Sequence, residues 1–185
     1  MTAADRMPPL QRERLTEAQI EAERRMTAGP RGGLRGPFIP LLRSPELLNR
    51  VQHLGEYLRY DSAIPGDMRE FAILIAAAWW RQGYEWQVHR PLAEKAGIAP
   101  QILEAVARGE RPDNMTSEQA AVHDFAYALH RTHAVDDATY AAALALLGEG
   151  GVVDLCGVCG YYALLAMGLN VARTPSPDPD SDPFA

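Results

Sequence analysis

The stretch from Met68 to Gly97 limits the possible folds more than any other. Phe71 to Trp80 is an unbroken apolar run, opened by Glu70 and long enough for a buried helix. Gly83 breaks it. Tyr84, Glu85, Trp86 and His89 then begin a second helix, which Gly97 closes. No segment of the chain alternates apolar and polar residues with β-branched enrichment, so strands have no support. Helix punctuation recurs instead. Thr16 with Gln19 forms a capping-box pattern for a helix from Glu17 to about Thr27, stopped by Gly29-Pro30. Ser44-Pro45 opens a helix to about Arg59, and Pro65 opens the one that ends near Gln82. Pro100 starts a short helix to about Arg108. Thr116 or Ser117 caps one to about His130, and Asp136 caps one to Leu147, stopped by Gly148 and Gly150. A final helix runs from about Val152 to Val171. The expectation is an all-α, single-domain bundle of about eight helices.

Residues 29–40 carry too many glycines and prolines for helix. Leu34, Phe38 and Ile39 give this loop something to pack with, and such loops often cover a site. Residues 1–14 are expected to be a mobile arm, and the proline-rich acidic segment 173–185 a disordered tail. The organisation read here is 1–35 as arm and first helix, 36–172 as the helical domain, and 173–185 as tail.

Charge and cysteine content narrow the function. A length of 185 residues suits one domain with a real core, and a net charge of −6 argues against nucleic acid as a partner. The first ten residues lack the apolar core of a secretory signal, and two cysteines cannot build a disulfide scaffold. Both point to the cytoplasm. Leu155–Ala172 has no charged residue and, at 18 residues, reaches the lower limit of a membrane span. Its glycines, Asn170 and its soluble surroundings favour a buried helix or subunit interface over a membrane. Because this helix is apolar all round, one side should face its own core and the other a second subunit. The phosphate-cradling loop, the dinucleotide glycine signature and the nucleophile elbow are all absent.

Three side chains carry the chemical reading. Glu85 and His89 stand four apart and share one helix face. A partly buried histidine beside a carboxylate is the usual way to build an acid–base group near neutral pH. Glu70 sits in the first turn of its helix, where a carboxylate is favoured anyway by the helix dipole; alternatively it orients His89. The expectation is that Glu70, Glu85 and His89 meet in one pocket walled by Trp80, Tyr84 and Trp86. Cys156-Gly-Val-Cys159 has redox spacing but lies inside a very apolar helix, so it reads as small hydrophobes. His123, His130 and His133 complete no ligand set and read as solvent-facing.

The segments R-E-F-A-I-L-I-A-A-A and Y-E-W-Q-V-H-R-P-L-A-E-K-A-G-I together resemble the carboxymuconolactone decarboxylase family, which includes the alkylhydroperoxidase D-like proteins. G-P-F-I-P-L-L-R-S-P-E-L before them and G-V-V-D-L-C-G-V-C-G-Y-Y-A-L-L-A-M after them extend the resemblance over about residues 36–172. It implies a helical fold assembling as homo-oligomeric trimers or hexamers, with the site near subunit contacts. The peroxidase branch carries a glutamate, a C-x-x-C and a histidine four residues after the second cysteine. Glu70 and His89 match the glutamate and histidine, while the cysteine positions fall on Gln82 and Glu85. The resemblance is therefore to the cysteine-free, decarboxylase-like branch. What it implies is a cofactor-free, metal-free lyase or isomerase of a small carboxylated or lactone-type acid. His89, Glu70 and Glu85 would be catalytic, with Tyr84, Trp86, Trp80 and Gln82 at the substrate. Arg43, Arg59, Arg69, Arg81 and Arg90 are candidates to meet an anionic substrate. Two alternatives stand: a thiol peroxidase or disulfide reductase using Cys156 and Cys159, or a binding homologue without chemistry.

Overall fold

A computed structural model describes residues 4–185; the first three residues of the expected arm lie outside the described residues. Eight α-helices and no strand are found among them. These are α1 (Glu17–Ala28), α2 (Phe38–Leu41), α3 (Pro45–Glu56), α4 (Gly66–Trp79), α5 (Gly83–Lys95), α6 (Pro100–Ala107), α7 (Ser117–Thr132) and α8 (Asp137–Ala172). Helix α4 is the axis of the bundle and packs against α5, α6, α7 and α8. Its sequence explains this. From Met68 to Ala77 every residue except Arg69 is buried, so neighbours must cover the helix on all sides. Each fully buried Phe71, Ile73 or Leu74 contributes roughly 1.5–3 kcal/mol to that packing.

The helix ends follow local chemistry. Thr16 and Thr116 each close a capping box, with Gln19 and Gln119 respectively, and the Asp136 carboxylate accepts the Thr139 N–H at 2.7 Å. The Ser44 side chain makes no such bond, and Pro45 alone starts α3. Two features differ from the sequence reading. The expected end of α3 near Arg59 is a single π-helical turn, Tyr57–Asp61, following Glu56. The part of the loop at Phe38–Leu41 closes into one helical turn, α2. The two expected terminal helices lie in one stretch, α8, but Gly148 breaks it with φ 68° and ψ 175°, a backbone open chiefly to glycine.

By length and composition alone α8 could cross a membrane, yet 56% of its most apolar stretch is buried in the bundle. Val153, Leu164, Met167 and Val171 remain exposed along it.

Among the described residues both terminal segments are held, contrary to the mobile arm and disordered tail read from composition. Arg6 N–H donates to the Ala172 carbonyl at 2.7 Å, and Arg43 donates to the Pro8 carbonyl at 2.7 Å. In the tail, Gln87 donates to the Asp178 carbonyl and accepts from its N–H, at 2.6 and 2.8 Å. Phe184 sets its ring edge-on to Trp86, with centroids 5.5 Å apart. The reason is that Trp86 needs a cover. Four prolines make the tail poor α-helix and stiffen the backbone that lies along α5, so ordering it costs little entropy.

A candidate acid–base site between α4, α5 and α8

Buried along α5 are Glu85, His89 and Ala93, four apart on one face, with Trp86 turned off that face. Two of these four are titratable, which an ordinary core helix would not tolerate unpaired. His89 finds a partner on each side. Its Nδ1–H donates to Glu70 Oε2 at 2.6 Å, and its Nε2 lies 3.4 Å from Glu85 Oε2. Glu70, Glu85 and His89 are 7%, 3% and 2% exposed, so the triad is shielded from bulk water. Glu70 reaches the site because α4 and α5 pack along much of their length.

Burial is the largest influence on the imidazole and draws its pKa down. The hydrogen bonds to Glu70 and Glu85, reinforced by their charges, outweigh it and hold His89 above its ordinary 6.5. An imidazolium between two carboxylates leaves one net negative charge. Arg59 is placed to offset it, and its own pKa is the outcome of the same contest. Burial depresses it, while Tyr162, Tyr60, Glu70 and Glu85 together raise it above its ordinary value.

A cavity of about 380 Å³ opens against this triad. Tyr84, Glu85, Val88 and His89 of α5 form one wall, and Tyr162 and Leu165 of α8 another. Arg59 and Tyr60 enter from the π-helical turn, the loop before α2 supplies Arg31 and Arg35, and α2 itself supplies Phe38. That loop therefore does cover a site. Tyr162 is 3% exposed and meets His89 edge-on, with ring centroids 5.1 Å apart at 89°. Glu85 Oε1 is buried and has no hydrogen-bond partner among the described residues. The wall thus combines an acid–base group, an unengaged carboxylate oxygen, three guanidinium groups and aromatic rings.

The expected pocket is in part corrected. Glu70, Glu85 and His89 converge and Tyr84 lines the cavity, but Trp80, Trp86 and Gln82 do not. Trp86 lies about 100° round the helix from Glu85 and is buried under Phe184 instead. Gln82 caps α5 by accepting the Tyr84 N–H at 2.7 Å and donates to Asn170 Oδ1 at 2.7 Å. The Trp80 carbonyl accepts from Asn170 as well. Of the arginines proposed from sequence, only Arg59 lines the cavity. Arg31, Arg35, Tyr60 and Tyr162 were missed, since no local pattern marks them.

The other motifs resolve differently. Cys159 is buried, and burial pushes its thiol up to about 12. Cys156 is exposed on α8, but partial burial still raises its thiol above the ordinary value. Neither is the activated thiolate that peroxidase chemistry needs. His123 is not solvent-facing. It is 3% exposed, stacked on Tyr127 and bonded through Nδ1 to Asp124 at 2.9 Å. His130 is half-buried against Trp79, and only His133 is exposed. No group of three metal-ligating side chains occurs among the described residues.

Residues 45–128 match the carboxymuconolactone decarboxylase family. No curated protein matches the chain in sequence. Among solved structures it is similar to the debrominase Bmp8 in its apo form, with a TM-score of 0.69 at 15% identity over 96% of this chain and 95% of that one. A cysteine-to-alanine variant of the same debrominase, in complex with 2,3,4-tribromopyrrole, gives 0.67 at 16% identity over 96% and 92%. The alkylhydroperoxidase AhpD core of an uncharacterized peroxidase-related protein from Ralstonia eutropha JMP134 gives 0.62 at 17% identity over 90% and 88%. At such identities the structures speak for the fold alone. Residues 45–128, from α3 through most of α7, are thus similar to the carboxymuconolactone decarboxylase family, and the fold of the chain is that of the alkylhydroperoxidase D-like structures.

Proposed function

We propose that this protein is a cofactor-free acid–base enzyme, a lyase or isomerase acting on a small carboxylated or lactone-type organic acid. The observation that carries this reading is the buried Glu70–His89–Glu85 triad facing a cavity that also holds Arg31, Arg35 and Arg59. Glu70 fixes the imidazole by accepting from Nδ1, and Nε2, 3.4 Å from Glu85 on the cavity wall, is the nitrogen for proton transfer. The three guanidinium groups favour an anionic ligand. In a decarboxylation, the bond to the carboxylate carbon breaks and its electron pair moves onto a conjugated carbonyl oxygen. The His89 imidazolium then gives its proton to the resulting carbanionic carbon and regains one from solvent. In an isomerisation, neutral His89 takes a proton from carbon and returns it at another position. Both steps use general acid–base catalysis, which contributes on the order of 10²–10⁴ in rate.

The raised thiol values of Cys156 and Cys159 weigh against a thiol peroxidase. The exposed row Val153, Leu164, Met167 and Val171 on α8 supports assembly of identical copies as a trimer or hexamer, which light scattering of the purified chain checks.

The test is turnover of a panel of small β-keto acids and unsaturated lactone acids, followed by NMR. Wild-type protein should consume at least one of them, and His89→Gln should lose about 10²–10⁴ in kcat while keeping its helical content. Undiminished turnover by His89→Gln removes this reading.

A further inference from the structure

The cavity has two chemically opposite walls. One carries the carboxylate of Glu85 and the imidazole of His89; the other brings Arg59 and the phenol of Tyr162. An anionic oxygen of a ligand is repelled by the first wall and must lie against the second. We propose that the Tyr162 hydroxyl, backed by Arg59, is the hydrogen-bond donor that holds the oxyanion of an enolate- or phenolate-type ligand in this cavity.

Several observations converge on Tyr162. Its ring is 3% exposed and wedged edge-on between His89 and Tyr161, with centroids at 5.1 and 5.3 Å. Such a ring holds one orientation, and a preorganised donor needs no reorganisation when charge develops. Tyr162 lines the cavity, and its hydroxyl makes no hydrogen bond to another described residue, so it is free to donate to a ligand there. Burial keeps the phenol well above its ordinary pKa, so at neutral pH it is a donor and not an anion. Arg59 comes from the π-helical turn Tyr57–Asp61, an irregularity found often at functional sites. Arg59 makes no ion pair among the described residues, so its charge is available to a ligand.

The placement suits the chemistry. In an enolate, the oxygen and the carbon that takes the proton are two bonds apart. Tyr162 touches His89, so a ligand oxygen on the phenol sets its neighbouring carbon before the imidazole. As electrons leave the breaking bond, negative charge grows on that oxygen, and the Tyr162 hydrogen bond strengthens without transferring its proton. Protonation at carbon by His89 then discharges it. This catalytic consequence rests on the acid–base reading above, whereas oxyanion binding does not.

The probe is 4-nitrophenol, whose phenol and phenolate forms absorb differently. It is titrated with the full chain across pH. Wild-type protein should bind the phenolate at least about tenfold more tightly than the phenol, lowering the bound probe's pKa by about one unit. Tyr162→Phe keeps the ring contact with His89 and should lose most of that preference with an unchanged melting curve. Arg59→Gln, on the π-helical turn, should weaken it as well, and His89→Gln should retain it. Equal binding of the two forms by wild-type protein, no binding, or a full preference in Tyr162→Phe overturns the proposal. Phenolate preference without turnover of any organic acid leaves the oxyanion site standing and removes the lyase; turnover without the preference does the reverse.

Discussion

Two histidines in this protein are similarly buried and bonded to a carboxylate, yet only one faces a cavity lined by arginines. His89 and His123 are 2% and 3% exposed, and each bonds an acidic side chain through Nδ1. The difference lies in what else that acid does. Asp124, the partner of His123, is held by a bidentate Arg111 at 2.9 and 2.8 Å, which lowers its pKa more than the histidine does. Its charge is already compensated. Glu70 has no arginine within ion-pair distance among the described residues, and Glu85 adds a second carboxylate to the same ring. The space beside each ring differs too. His89 faces about 380 Å³ containing cations, while the hollow at His123 is about 130 Å³ and lined by Trp79, Tyr127, small and aliphatic groups and the acidic Glu110. A buried carboxylate–histidine pair becomes an acid–base centre when the carboxylate is not otherwise neutralised and a ligand can reach the ring.

The strongest way to break this comparison is to remove each imidazole. His89→Ala leaves two buried carboxylates facing each other, and stability should fall by about 3–5 kcal/mol in denaturant unfolding, as when one member of a buried ion pair is lost. His123→Ala leaves only the partly exposed Asp124, still bound by Arg111, and mainly opens a gap beside Phe71 and Tyr127. Its cost should be about 1–3 kcal/mol. Equal losses would dissolve the distinction.

The charge state of His89 sharpens it next. The folded pKa lies above the ordinary 6.5, so the stability from this pairing is complete below about pH 6.5 and is lost as pH rises through the folded value. The melting-temperature advantage of wild type over His89→Gln should shrink from pH 6.5 upward. An advantage that grows with pH would mean that the ring is buried neutral.

Gly55→Ala probes the cation wall. A methyl group there would collide with the Tyr161 hydroxyl and the Arg31 guanidinium, and the overpacking should cost about 1–3 kcal/mol. It should also weaken 4-nitrophenolate binding, because Arg31 must move. Arg111→Gln has the smallest expected effect. The pair is 58% and 38% exposed and screened by water, so about 0–1 kcal/mol is expected, with no change at the cavity.

The chain spelled out much of this architecture locally. Caps at Thr16, Thr116 and Asp136 and prolines at Pro45 and Pro100 placed the starts of their helices within a residue, and Gly148 marked the break in α8. Glu85 and His89 were legible as a pair because a helix carries its i and i+4 residues on one face whatever surrounds it. The π-helical turn after α3 was not, since the extra residue per turn leaves no compositional mark. The same holds for the docked tail, where Phe184 gains its role only from Trp86, far off in sequence.

Amino-acid order therefore determined the all-helical class, the helix boundaries and the acid–imidazole pair, because caps, breakers and helical periodicity act over a few residues. Tertiary packing alone decided that Arg59, Arg31 and Tyr162 share the cavity and that Trp80, Trp86 and Gln82 do not. Those side chains come from the loop before α2, the turn after α3, the middle of α5 and the middle of α8. Which of them meet depends on how the helices rotate and cross as they bury α4, and no short-range preference encodes that choice.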